Sequence, residues 1–375
     1  QPIAIWDPLT GTCKKVDAKQ IGSDLRYQFT LPPCGSLIIV IGHGADVNAE
    51  ELKEKPDLRH ADTILLPSEW RFKRSEENVL VMDRVTASPD GGKTWWPEDM
   101  EHRVRRRLAE YFGTTDALQW QPWVAIRKGV FNGKGGPVIL KYHFRSTISR
   151  PKSAYLVIED IDKAVVMVNG VVIDTSHPDW HWDRAFGKVD IADLVKPGVN
   201  EVEVRLNYDF LTVVEPAYIV GDFGVRLANL YEGELIEEPA VLKNGSWIDQ
   251  GYPFYSGSMT YITTIDIPDD GKRTILRLNR PSGVLYKVRV NGSDAGKILW
   301  RPFELDITPF LRAGSNELEI EVVSSRQNTL GPLHEWEGDD NMWVGPNAFE
   351  QDPMLREEFS LFDYGLLGGA ELARI

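Results

Sequence analysis

The chain has 375 residues, 42% of them hydrophobic, and a formal net charge of −14 at pH 7 from 42 Lys and Arg against 56 Asp and Glu. That length suits two or three domains with ordinary cores. The acidic surplus argues against nucleic acid as a partner, because phosphate binding needs clustered cations to release counterions, and the sequence has no run of 18 apolar residues, the length that would read as a membrane span.

A neutral ligand such as a glycan is not opposed by this charge. No signal-peptide pattern opens the chain, and because it begins at Gln1 it is expected to be a processed product or a fragment, with an extracellular or periplasmic compartment favoured. Cys13 and Cys34 are the only cysteines, and their spacing fits no zinc motif, so no metal of that type is expected. They suit either two buried thiols, the simpler reading, or a disulfide in an oxidising compartment. Twelve tryptophans are the more informative excess. Such rings serve as stacking platforms in glycan-binding β proteins and as core in any sandwich.

From Gln1 to Leu65 the pattern predicts short strands at Ile3–Trp6, Leu25–Leu31 and Leu37–Ile41, with a turn at Asp7–Gly11. Ala45–Asp62 is polar and broken by proline, a linker or surface loop. So short a piece is marginal as an independent core, which makes residues 1–65 the end of a preceding β domain plus a linker. Residues 66–230 form the first predicted β-sandwich. It has strands at Asn78–Asp83, Val138–Ile148 and Tyr155–Ile158, and closes on Ala217–Val225. Between them, Glu98–Phe112 begins with acids, contains the basic run Arg103–Arg107 and stops at Gly113, which predicts a surface helix with a solvated basic face. Asn132–Gly136 (NGKGG) lacks the order of a nucleotide loop and reads as a hairpin turn.

Residues 231–375 form the second predicted sandwich, with Trp247–Gly257 at its start, strands at Ser258–Ile267 and Thr274–Leu278, and a closing strand within Phe359–Ile375. The irregular segment Asn328–Pro346 is long enough to suggest a functional loop or one packed on a partner. Its Asp339 and Asp340 offer oxygen ligands for a structural calcium ion, although a plain acidic loop is the simpler reading; no other cofactor is expected.

Two stretches of these sandwiches repeat each other. Asp190–Val204 aligns without gaps on Asp306–Ile320 at an offset of 116 residues, with identical pairs Asp190/Asp306, Ile191/Ile307, Gly198/Gly314, Asn200/Asn316 and Glu201/Glu317. Upstream of each lies a Val-Asn-Gly sequence, the strongest short-range signal for a tight hairpin. Thr308 is a candidate cap for a one-turn helix with Pro309 at its first position, and Gly314 suits a left-handed exit. The alternation of Leu318, Ile320 and Val322 with Glu319 and Glu321 is that of a strand with one buried face. A repeat of this length is a domain duplication. The predicted fold is all-β: tandem jelly-roll sandwiches after a partial β segment.

Trp247–Gly257 (WIDQGYPFYSG), the VNG…DIT..L..G.NELEI pattern, AYIVGDFGV from Ala217, and NTLGPLH with the later WVGP together resemble the C-terminal region of large multidomain glycoside hydrolases, most closely the α-L-rhamnosidase-like ones. The resemblance covers residues 66–375. It implies galactose-binding-like jelly rolls, similar to the sugar-binding domains of family 2 glycosidases. It further implies a glycan as partner, together with a catalytic barrel domain in the same or a companion chain. The barrel that carries the acid and base in such enzymes is absent from this sequence, so no catalytic residue is carried over. Glycoside cleavage needs two carboxyl groups about 5–10 Å apart. Acidic pairs such as Glu98/Asp99, Glu335/Glu337 and Asp339/Asp340 arise by chance among 56 acids.

The expected function is therefore a non-catalytic accessory region, carbohydrate-binding or architectural, of a glycoside hydrolase acting on plant or microbial glycans. Alternatives are a hydrolase in its own right and a free-standing glycan-binding adhesion module. The first repeat carries six more residues than the second between its Asn-Gly and its Asp-Ile, and these fall at His177–Trp182. Insertions go to loops at the ends of a sandwich, where binding sites are commonly built. Trp180 and Trp182 there would make a sugar platform, with Asp179, His181 and Asp183 taking hydroxyls. The competing reading folds Trp180 or Trp182 inward as a core plug. Trp300, in the copy without the insertion, is expected in the core.

Overall fold

The computed structural model describes residues 3–6, 13–16, 18–29, 31, 36–42, 58, 60–114, 124, 127–129, 134–212, 214–334 and 356–375. The expected Asn132–Gly136 turn, Cys34 and the acidic residues Glu335, Glu337, Asp339 and Asp340 lie wholly or partly outside them. The architecture is all-β, with strands stacked as sandwiches. The chain divides into two compact units, each assembled from separate stretches: Glu69–Tyr261 with Val322–Leu367, and Gln1–Ser68 with Ile262–Glu321 and Gly368–Ile375.

The larger unit is a sandwich of two sheets. Its first sheet runs in the order Trp96–Met100, Arg84–Ser88, Gly136–Ser146, Gly198–Tyr208, Val165–Val168, Val171–Val172, with Glu232–Ile236 pairing parallel to the end of Gly136–Ser146. The central pair is antiparallel from Gly136 opposite Tyr208 to Ser146 opposite Gly198. Along Gly136–Ser146 every second residue is inward, so Val138, Leu140, Tyr142 and Phe144 are buried while Lys141, His143 and Arg145 face out, the pattern of a half-buried strand. The second sheet runs Asp179–His181, Asp183–Asp190, Ala154–Glu159, Ala217–Gly221, Asn78–Met82. Leu156, Ile219 and Leu80 from this sheet meet Leu140 and Phe144 in one core.

The predicted helix forms, but three residues late, over Glu101–Phe112, because Trp96–Met100 is taken up as an edge strand against Arg84–Ser88. Gly113 ends it in the left-handed conformation at φ 62°, as its sequence predicts. The basic run is not simply a solvated face. Arg105 is only 2% exposed and reaches Val214 O at 3.5 Å, while Arg107 lies over the Trp96 ring at 4.5 Å. Arg105 sits on the helix face that Val104 and Leu108 share, so its stem is buried with them.

In the smaller unit, Thr274–Leu278 pairs with Glu304–Asp306 and Ala370–Arg374, and the last of these with Asp62–Leu65. Leu285–Val290 and Ser293–Ile298 form a hairpin. Ile3–Trp6 lies between Cys13–Lys15 and Ile38–Ile41, and Cys13 is buried with no disulfide among the described residues. Where a strand is expected over Leu25–Leu31, the described residues form the short strand Asp24–Arg26, paired with Lys19–Ile21.

The identical residues of the repeat do identical work in both units. Both Val-Asn-Gly sequences form tight turns with positive φ at both central residues: 51° and 81° at Asn169-Gly170, 51° and 78° at Asn291-Gly292. Asp190 Oδ1 accepts the N–H of Ala192, and Asp306 Oδ1 that of Thr308. Thr308, expected to cap this one-turn helix, is instead its first residue, and the Asp306 carboxylate also accepts a 2.6 Å hydrogen bond from its hydroxyl. Ile191 and Ile307 are fully buried. Gly198 and Gly314 adopt φ of 92° and 82°, where a side chain is strained, in turns that enter the following strand rather than leave a helix.

Candidate functional site

The six inserted residues end not in an open loop but in an edge hairpin, Asp179–His181 against Asp183–Asp190. Trp182 is the turn residue, at φ 58°, a costly conformation for so bulky a side chain. The hairpin beds down because Gly187, opposite Trp180, has no side chain. A Cβ there would fall 2.3 Å from Ile161 Cγ2 and 3.1 Å from Pro178.

The hairpin separates the predicted platform residues. Trp180 is 58% exposed and does not line the cleft that His181 and Trp182 share. The Asp179 and Asp183 carboxylates serve the local backbone, accepting the N–H of Trp180 at 2.8 Å and of Ala185 at 2.9 Å. His181 and Trp182 instead come together, ring centroids 4.4 Å apart, in the wall of a cleft of about 870 Å³. Trp182 is half-buried. It meets Tyr218 edge-on at 5.1 Å and Phe186 at 6.0 Å, which ties the cleft wall to the sandwich core. Trp300, expected in a core, is instead 40% exposed. It lies in the turn between Ser293–Ile298 and Glu304–Asp306, outside the alternation that buries strand residues.

The remaining cleft wall is a lattice of charge pairs. Arg326 holds Glu76 with two bonds, Nη1–Oε2 at 2.5 Å and Nη2–Oε1 at 2.7 Å. Arg74 reaches Glu238 at 2.6 Å and Asp222 at 3.1 Å, and Lys188 reaches Glu77 at 2.6 Å. Burial pushes the Asp222 carboxyl up, but Arg74, Ser153 and Lys152 outweigh it and hold it below its ordinary value. The His181 pKa is also lowered, but here burial acts first and Lys188 adds to it, against the opposing pull of Glu77 and Glu76, so the charged imidazole is disfavoured. Its Nε2 is buried without a hydrogen-bond partner, and Nδ1 lies 3.7 Å from Glu77 Oε2. An unmet buried nitrogen costs about 1–3 kcal/mol.

Chemically, the lowered Asp222 carboxyl is a poor general acid, and Glu76, Glu77 and Glu238 are each engaged by a guanidinium or ammonium group. Of the pair Glu98/Asp99, Glu98 lies 3.8 Å from His143, which lowers its pKa against burial, and Asp99 lies 3.2 Å from Arg103. Among the described residues no group of three or more His, Cys, Asp and Glu side chains is placed to hold a metal ion, and no helix is long and apolar enough to cross a membrane. The lattice residues went unnoticed in the sequence, although Asp222 stands inside the AYIVGDFGV stretch and Asn328–His334 begins two residues after Arg326.

No protein-family model and no curated protein matches the sequence. Among solved structures, the chain is similar to a rhamnosidase from Novosphingobium sp. PP1Y at 20% identity and a TM-score of 0.27, over 64% of this chain and 22% of that one. It is similar to a β-glucuronidase from Bifidobacterium dentium at 26% identity and a TM-score of 0.26, over 37% of this chain and 25% of the other. An α-L-rhamnosidase from Streptomyces avermitilis is similar at 16% identity and a TM-score of 0.25, over 52% and 24%. The chain thus spans a quarter or less of the length of each.

Proposed function

We propose that the chain is a non-catalytic, carbohydrate-binding accessory region of a glycoside hydrolase, and that its sugar subsite is the cleft walled by His181 and Trp182. The observation that supports this most is the meeting of an aromatic ring with a charge-balanced polar lattice in one cleft of about 870 Å³. A pyranose has an apolar C–H face and a ring of hydroxyls. Trp182 offers a stacking surface for the first. Glu76, Glu77, Arg74 and Arg326, already fixed in geometry by one another, offer acceptors and donors for the second with little ordering cost. Because the charges in the wall compensate each other, a neutral sugar fits better than an acidic one. His181, with its unmet Nε2, gains a partner by a small ring rotation toward a bound hydroxyl.

The sequence resemblance to multidomain glycoside hydrolases supplies the context of a companion catalytic barrel, and the ion pairing of the cleft acids favours binding over cleavage. Two assays on the isolated chain separate the readings. Retardation by neutral plant or microbial polysaccharides in affinity electrophoresis, with no release of aryl aglycone from a panel of aryl glycosides, is expected. Turnover that is lost on substituting one carboxylate would make the chain a hydrolase in its own right and contradict the accessory reading.

A further inference from the structure

A second cavity, of about 270 Å³, opens at another part of the larger unit, between its two sheets. Its floor is apolar: Leu140 and Val204 come from one sheet, Ile158 from the other, and Ile161 from the short helix that closes one side. Leu211, 56% exposed, stands at its mouth. An apolar body therefore finds a preformed place there.

The rim is acidic and its charges are unequally satisfied. Asp160 is paired to Lys163 at 2.7 Å, and Asp209 accepts the Leu211 N–H and the Thr212 hydroxyl. Glu159 is half-buried, and among the described residues no hydrogen bond or ion pair reaches its carboxylate. Burial, then the charges of Asp160 and Asp183, push this carboxyl up, with Lys163 opposing them. A half-desolvated carboxylate beside like charges is unfavourable on its own and gains most from a cation brought next to it. Among the described residues Lys163 is the one cationic side chain lining the cavity, and it is already engaged by Asp160.

We propose that this cavity binds an organic ammonium, a protonated amine on an aliphatic or aryl body, with the apolar part against Leu140, Val204 and Ile161 and the ammonium on Glu159. The apolar walls select for the body and the unpaired carboxylate for the charge. This site is independent of the His181/Trp182 cleft, since the two share no lining residue.

The test is calorimetric titration of the protein with phenylbutylamine at pH 7, and with phenylbutanol as an uncharged body of the same shape. The amine is expected to bind saturably and the alcohol at least about tenfold more weakly, a contrast read on the unaltered protein. Glu159→Gln is expected to bring the amine down to the level of the alcohol while melting at or above the parent temperature, because it removes an unpaired, half-buried charge. No saturable binding of the amine, equal binding of the alcohol, or undiminished amine binding by Glu159→Gln would each overturn the proposal.

Discussion

Asn169 donates a 2.8 Å hydrogen bond from Nδ2 to Asn200 Oδ1, and Asn291 makes the same 2.8 Å bond to Asn316 in the second repeat. Each pair ties a hairpin turn to the start of the strand Gly198–Tyr208 or Gly314–Val323. The first Asn accepts the backbone N–H of Glu201 or Glu317. The second bridges Lys196 and Gly198, or Arg312 and Gly314. Asn200 and Asn316 are fully buried, so removing either side chain leaves backbone groups unmet at about 1–3 kcal/mol each. Asn200→Ala is expected to destabilise by about 2–4 kcal/mol in chemical denaturation. In a double-mutant cycle, Asn169→Ala with Asn200→Ala should cost less than the sum of the two, since they share one bond; strict additivity would show that the latch contributes nothing.

Gly187→Ala tests how the hairpin is seated. The added methyl overlaps Ile161 and Pro178, and overpacking of this kind costs about 1–3 kcal/mol. A melting temperature several degrees lower is expected. Unchanged melting would mean that the hairpin is not bedded on Ile161.

His143 lies 3.8 Å from Glu98 and 3.4 Å from Glu201 on the outer face of the first sheet. Glu98, with Glu201, holds its pKa above the ordinary value against the opposing effect of burial. The contribution of a raised His is complete below the unfolded value of about 6.5 and is lost as pH rises through the folded value. Glu98 is lowered, by His143 first and against burial, so its contribution is present above about 4.3 and is lost as pH falls through its lowered value. The stability of the parent relative to His143→Gln should therefore decline as pH is raised from about 6 to about 8. An identical slope in the variant would remove His143 from the account.

Much of this fold can be read directly from residues whose task is local. The two Val-Asn-Gly turns, Gly113, and strands such as Ser258–Ile267 and Thr274–Leu278 fall where turn chemistry and alternation place them. The errors arise where tertiary context decides. Trp96–Met100 pairs as a strand although it is continuous with a helix, Arg105 is buried within a basic run, and Trp300 faces out because it lies in a turn. The insertion at His177–Trp182 was legible as a site of interest, but not that His181 and Trp182 would line a cleft without Trp180. The charge lattice was not legible at all, because Arg326 and Glu76 are 250 residues apart in the chain.

Stability should divide the two tryptophans of the hairpin. Trp182 packs on Tyr218 and Phe186, so Trp182→Ala is expected to destabilise by about 2–4 kcal/mol, somewhat less than a fully buried aromatic. Trp180 is largely exposed, and Trp180→Ala should melt within about 0.5 kcal/mol of the parent. Equal losses would mean that both rings serve the core.

The most direct measurement is calorimetric binding of a neutral oligosaccharide that retards the parent chain, repeated with His181→Ala and Trp180→Ala. Retained binding by Trp180→Ala together with at least about tenfold weaker binding by His181→Ala, both variants melting near the parent, is the predicted result. Unchanged affinity in His181→Ala would contradict the assignment of the cleft as the sugar site.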